Sequence, residues 1–233
     1  KFNKEYASFY QSYFTNKKKF EPLIDAKIAI SKDYYTINRN SKWITNLLSR
    51  KRAHLIRSEY DAIVSTSKSI NSDNSLLNCR LNGFNKNKPD VFIIDINFKI
   101  KKNLKLLKNS KKRKIFLITS EKNSKKISTL KKFGVKVVNV KRLDSKYDFK
   151  NLFKTIKKLG YNRLLVESGL IFLNKLLKYK LIYNMFVFKS SVSLKFKGKN
   201  NSSNYHIKKL KLNHKVKVNL QKDILYKVKI RNV

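Results

Sequence analysis

Two stretches of this chain gather residues able to do chemistry. In "LLVESGLIFLNKLL" a strand-like run ends at Glu167, Ser168 and Gly169 make a turn, and a helix-like stretch opens at Leu170. A turn of that kind points backbone N–H groups at a ligand phosphate and leaves the acid facing the cleft. Ser168 as a helix cap and Gly169 as an easy turn explain the same letters, and on these residues alone that reading is the simpler one. The second stretch, residues 41–80, sets Ser41, Trp43, Thr45, Arg57, Asp73 and Arg80 around two strand-to-loop transitions.

Arginine carries information here because it is scarce. The chain has a formal charge of +42, yet only nine of its 56 basic residues are Arg, and five of those lie between Arg39 and Arg80. Lysine occurs in almost every segment beside abundant Asn and Ile, the usage that drift towards A and T codons produces. Most of the charge therefore reads as solvated surface, and a nucleic-acid partner is the alternative reading. Lysine replaces arginine wherever a point charge suffices, but not where a planar fork grips a phosphate. Taken singly, the other residues have plainer explanations. Trp43 reads as core, His54 as an ordinary helix residue, Asp73 as part of a polar turn in "SINSDNS", and Cys79 as a small packing residue.

One cysteine permits no internal disulfide, and His54, His206 and His214 show no metal-ligand spacing, so no metal is expected. No run of about 18 apolar residues occurs to span a bilayer. A cytoplasmic protein is the expectation. The first residue is Lys1 and the sole methionine is Met185, from which we expect a piece of a longer translated chain.

The positioning elements follow from periodicity. "LIDAKIAI" (23–30) alternates as a strand with Lys27 opposite its apolar row, and a helix capped by Thr45 carries Leu48, Ala53, Ile56 and Tyr60. "DAIVST", "DVFIIDI", "KIFLIT", "VKVVNV" and "RLLVE" read as further strands, separated by helical segments at 124–133, 148–159 and from Gly169 to about Tyr179. Such alternation predicts a three-layer α/β fold with a largely parallel sheet and helices on both faces. The tail, "IYNMFVFKS" and "IKKLKLNHKVKVNLQKDILYKVKI", reads as antiparallel strands closing one edge. "LNGFNKNKP" (81–89) reads as a loop. Residues 1–21 read as a connecting arm and 22–233 as one domain.

In their order, "KIAISKD" (27–33), "SKWIT" (41–45), "AHLIRSEYDAIV" (53–64), "SINSDNSLLNCR" (69–80), "VESG" (166–169) and the closing "KDILYKVKI" resemble the reductase domain of bacterial riboflavin biosynthesis, across nearly the whole chain. The resemblance implies the dihydrofolate-reductase-like version of the three-layer fold. It also implies NADPH-dependent reduction of the ribosyl group of 5-amino-6-(5-phosphoribosylamino)uracil. By matching positions, Ser41, Arg57, Leu77, Arg80 and Glu167 would contact this phosphorylated substrate. Ala29, Trp43, Ser69, Asp73 and the turn of Ser168, Gly169 and Leu170 would line the NADPH site. Lys27 and Glu167 would be catalytic, and Arg57 and Arg80 would grip the ribose phosphate. A homodimer and an upstream zinc deaminase domain, to which the arm would connect, are implied as well; the H-x-E and P-C-x-x-C pair that such a domain needs is absent from this sequence. The family has Gly where Tyr34 stands, Asp-Pro where Asn74 and Ser75 stand, Thr at Ser69 and Gly or Ala at Ser168. Two alternatives stay open: a polyanion-binding protein on a degenerate reductase fold, and a reductase of a diaminopyrimidinone or a pterin.

Overall fold

Strand β1 spans Leu23–Ile30. Its alternation sends Ile24, Ala26, Ile28 and Ile30 into one buried cluster and leaves Asp25, Lys27 and Ala29 for the opposite face. The structure is a computed structural model and describes residues 20–84, 89–108 and 110–230. The expected arm at 1–21 lies outside the described residues except for its last two positions, as do residues 85–88 of the loop at 81–89.

The chain continues through β2 (Ile37–Asn38), α1 (Leu47–Ser58), β3 (Ala62–Thr66), α2 (Ser67–Asp73) and β4 (Asp90–Ile94). Then come α3 (Lys105–Lys108), β5 (Ile115–Thr119), α4 (Ser124–Lys131), β6 (Val135–Asn139) and α5 (Lys146–Lys158). The last part holds β7 (Arg163–Val166), α6 (Leu170–Lys178), β8 (Asn184–Lys189), β9 (Gly198–Lys199), α7 (Tyr205–Lys208) and β10 (Ile224–Lys229).

Eight strands form one sheet in the order β10-β8-β1-β7-β3-β4-β5-β6. Every neighbouring pair is parallel except β10 with β8. On one face, Val64, Phe92, Phe116 and the even residues of β1 meet Phe149, Phe153 and Ile156 of α5 and Leu173 of α6. On the other, Ile63, Ile93, Leu117 and Leu165 meet Ala53 and Ile56 of α1 and Ile70 of α2. Two cores with a sheet between them make the three-layer α/β fold expected above.

Three local expectations change. The strand in "IYNMFVFKS" runs parallel to β1, with Ala26 opposite Met185, because α6 is a crossover that returns the chain in its original direction. Among the described residues only β10 is antiparallel in this sheet, while β9 pairs antiparallel with β2 in a separate two-stranded sheet; of the segment before β10, Lys215 bridges to Tyr226. The cap of α1 is Asn46, whose side chain accepts from the Ser49 N–H, and Asp223 accepts from the Asn46 N–H and the Ser49 hydroxyl at 2.8 Å each. Thr45 is buried, and its carbonyl accepts from Arg50. Finally, Asp73 ends a helix and does not sit in a loop, since the Thr66 hydroxyl caps α2 and Ile70 anchors it with no exposed surface.

Phe153 is 2% exposed in the α5 face of the core. Phe153→Ala should lower the free energy of urea unfolding by about 3–5 kcal/mol.

Candidate active site

The site forms where β1, β7 and α1 meet on the α1 face of the sheet. Val166 pairs with Ala26, and both point into the other core. Glu167, one residue past β7, therefore falls on the same face as Lys27, and its N–H donates to the Val64 carbonyl at 2.9 Å to hold it at the end of β3. From α1, Arg57 reaches the same point. Its Nε and Nη2 donate to Glu167 Oε1 and Oε2 at 2.5 and 2.9 Å. Lys27 Nζ lies 3.6 Å from Oε2.

Burial alone would push the Glu167 carboxyl up, but Arg57 and Lys27 outweigh it and hold the group at about 2. Burial lowers the Lys27 ammonium and the Glu167 charge opposes that shift. Side-chain exposures of 19% for Lys27 and 9% for Glu167 leave the pair within reach of a ligand.

The fork of Arg57, expected on a phosphate, is spent on Glu167, and its Nη1 donates to the Asn78 carbonyl at 3.2 Å. Arg80 is the exposed guanidinium of the pair. It donates to Asn78 Oδ1 at 2.8 Å and to His54 Nε2 at 3.1 Å, and the Asn78 carbonyl lies 2.7 Å from His54 Nδ1. Leu77 is buried with φ +51, so its side chain packs in the second core.

Some of the residues expected at the cofactor are linked in pairs. Ser69 Oγ accepts from the Gly169 N–H at 3.1 Å, tying the start of α2 to the start of α6. Gly169, not Ser168, is the N-cap of α6, and no side chain caps the helix. The Leu170 side chain is buried in the first core, which leaves its backbone for the cleft. Trp43 is 51% exposed, not core, and the Arg50 guanidinium stacks 4.6 Å from its ring centroid. Lys42 beside it donates to the Asp73 carbonyl at 2.8 Å, joining the loop of Ser41 and Trp43 to the end of α2. Ala29 is partly buried on the α1 face, two residues beyond Lys27.

Two of the departures from the family pattern have backbone reasons. Tyr34 has φ +67, where glycine is most at ease; its ring packs on the first core beneath the Lys189 ammonium, 4.5 Å away. Asn74 caps α2 in the left-handed region at φ 46, which Asn tolerates better than most residues.

Asn78 and Arg113 escaped the sequence reading, in which His54 is an ordinary helix residue. The i, i+3 spacing of His54 and Arg57 was a signal. Arg113 was marked by its own scarcity: its fork donates to the carbonyls of Leu76, Leu77 and Pro89, a task needing several N–H groups. Burial lowers it to about 10, with the Arg57 charge adding to the shift and Asp90 only partly opposing it. A hollow of about 360 Å³ lined by Lys122, Ser124, Ile127 and Asn139 lies at the β6 edge and shares no residue with the site.

With the geometry set out, the likenesses are specific. Acinetobacter baumannii RibD has the same fold, with a TM-score of 0.77 at 20% identity over 97% of this chain and 63% of that one. The Saccharomyces cerevisiae riboflavin biosynthesis reductase Rib7 superposes with a TM-score of 0.70 at 19% identity, covering 97% of this chain and 100% of the other. Residues 22–221 match the RibD C-terminal domain. RibD of Aquifex aeolicus is 31% identical over 161 residues, 68% of this chain and 43% of that protein. RibD of Buchnera aphidicola is 27% identical over 201 residues, 80% of this chain and 52% of that protein. The chain belongs to the RibD C-terminal domain family, whose curated relatives are riboflavin biosynthesis proteins, and spans about half the length of these two relatives.

Two stability outcomes follow from the geometry. Glu167 is ordinarily a carboxyl of ~4.3 in an unfolded chain, and its folded value is about 2. Its contribution is therefore complete above pH 5 and lost as pH falls towards 2. The stability gap between wild type and Glu167→Gln should shrink over that window by about 3 kcal/mol, read by urea unfolding at each pH. Arg113→Lys should cost about 2 kcal/mol, because one ammonium cannot serve three diverging carbonyls.

Proposed function

We propose that this chain reduces the ribosyl group of 5-amino-6-(5-phosphoribosylamino)uracil to the ribitylamino product with NADPH, in the cytoplasm. The observation that carries this reading is the Lys27–Glu167–Arg57 cluster, with exposed Arg80 on one side and the uncapped start of α6 on the other. The family membership supports it. So does the description of the Thermotoga maritima relative as a deaminase and 5-amino-6-(5-phosphoribosylamino)uracil reductase, a protein similar in fold at a TM-score of 0.75.

The residues fit NADPH. N–H groups at the start of α6 that no side chain caps suit a phosphate; Ser69 bonds the Gly169 N–H there, while Asp73 ends the same helix α2 and the exposed Trp43 is tied to it through Lys42. When bound, the cofactor supplies the hydride that adds to the ribose C1′. The chain's own residues prepare that carbon. The C1′–O4′ bond must break, its electrons going to O4′, which takes one proton while C1′ becomes a cationic imine. Lys27, lowered by burial, is the proton donor to O4′. Glu167 is ionised far below neutrality, so its part is charge: it holds Lys27 in place and lies close to the cation as that forms. Arg57 fixes the carboxylate with two parallel hydrogen bonds, and Arg80 meets the substrate phosphate. Ser41 and the backbone at Leu77 complete the substrate side.

The reading carries with it a homodimer and an upstream zinc deaminase domain in the full protein. Sedimentation of the purified chain tests the first, and an H-x-E and P-C-x-x-C pair in the full reading frame tests the second.

Anaerobic NADPH oxidation with the deaminated precursor tests the chemistry, with the diaminopyrimidinone form and a pterin run in parallel. Lys27→Met should lower kcat about 10²- to 10³-fold with KM changed little, whereas Arg80→Ala should mainly raise KM, by about tenfold. Kinetics unaltered in both variants would remove the assignment. Salt-sensitive RNA binding without NADPH binding would favour the polyanion reading.

A further inference from the structure

His54 lies in the second turn of α1, where no part of the reading above uses it. Its surroundings define its state. The Asn78 carbonyl, 2.7 Å from Nδ1, can only accept, so Nδ1 carries the proton and donates. That leaves Nε2 with a lone pair, and Arg80 Nη2 donates to it at 3.1 Å. A second guanidinium stands on the other side, with Arg57 Nη1 3.5 Å from Nδ1. Burial first, then these two cations, lower the imidazole to about 4, so the ring is neutral under ordinary conditions. The charged groups facing it are Arg57 on its own helix, Arg80 from the loop after α2, and Glu167 from the end of β7.

A neutral acceptor at this position has a consequence that a carboxylate would not. An Asp or Glu there would hold Arg80 equally well but cancel its charge. An imidazole lone pair fixes the guanidinium and leaves its charge uncompensated. Arg80 has five N–H donors; one goes to Asn78 Oδ1 and one to His54 Nε2, so three remain. Glu167 is already engaged by Arg57 and Lys27. Among the described residues no carboxylate pairs with Arg80, which is thus an oriented fork at the rim of the site, the condition a dianionic phosphate ester requires.

We infer that His54 is a positioning residue: as a neutral hydrogen-bond acceptor it aims Arg80 at the phosphate of the substrate, and so sets the preference for a phosphorylated sugar. This rests on the phosphorylated-substrate reading above and goes beyond it by naming the group that orients the phosphate arm.

The test uses the whole chain and two readouts. In the first, ribose 5-phosphate and ribose are titrated by calorimetry without any turnover. Wild type should favour the phosphate ester. His54→Leu should weaken its binding about tenfold, His54→Gln should restore it to within about threefold through a neutral amide oxygen, and His54→Glu should weaken it at least as much as Leu. In the second, the KM for the phosphorylated precursor should follow the same order, with kcat changed far less. A merely structural role is separated by a double-mutant cycle. In an Arg80→Ala background, His54→Leu should add less than twofold, because nothing is left to aim. Thermal midpoints show that each variant is folded.

An equal effect of His54→Leu with and without Arg80 would overturn the inference. So would equal wild-type affinity for ribose 5-phosphate and ribose. Absence of turnover with a normal phosphate preference in the titration would instead count against the reductase reading and leave the role of His54 standing.

Discussion

A carboxylate held between two cations at the end of a strand is the constraint on which this structure turns. Glu167 is nearly buried, and a buried acid left alone would protonate or destabilise the fold. The bidentate bond from Arg57 and the ammonium of Lys27 keep it charged. Each partner comes from a different element, so α1, β1 and β7 must be packed in register before the cluster exists. Glu167 is thus both a clasp across the sheet and the feature that sets the charge of the cleft. Breaking one side of the clasp leaves an uncompensated buried charge, which costs more than the pair itself contributes.

The surrounding scaffold serves that register. Asp25, two residues before Lys27 on the same face, accepts from the Tyr60 hydroxyl at the end of α1 and from the backbone and side-chain N–H groups of Asn184 in β8. Asp223 does the same for the beginning of α1, accepting from the Asn46 N–H and the Ser49 hydroxyl. Both ends of the helix that carries His54 and Arg57 are therefore pinned by buried acids outside the reaction centre. Arg113 fixes the loop on which Leu77, Asn78 and Arg80 ride, and gives its donors to three backbone carbonyls.

Much of this was legible before any coordinates. Strict alternation in residues 23–30 announces β1 and places Lys27 opposite the apolar row, because side-chain direction in a strand depends only on parity. The scarcity of arginine drew attention to Arg57 and Arg80, although not to what Arg57 touches. Nothing local says that its fork faces Glu167, 110 positions away. Direction in the tail was misread for a related reason: "IYNMFVFKS" looks the same in a parallel and an antiparallel pair, and the choice is made by the α6 crossover. Asp73 was misread because its polar neighbours hide a helix held by one buried isoleucine, Ile70. Trp43, core by residue type, lies exposed because Lys42 and Arg50 give its ring cationic company at the surface.

The most direct test follows the hydrogen that the account moves. The purified chain is given NADPH carrying deuterium at both C4 positions together with 5-amino-6-(5-phosphoribosylamino)uracil, and the product is examined by mass spectrometry and NMR. A cluster that opens the ribose and exposes C1′ predicts a ribitylamino product with one deuterium, located at C1′. Product lacking deuterium, or deuterium at any other carbon, would contradict it.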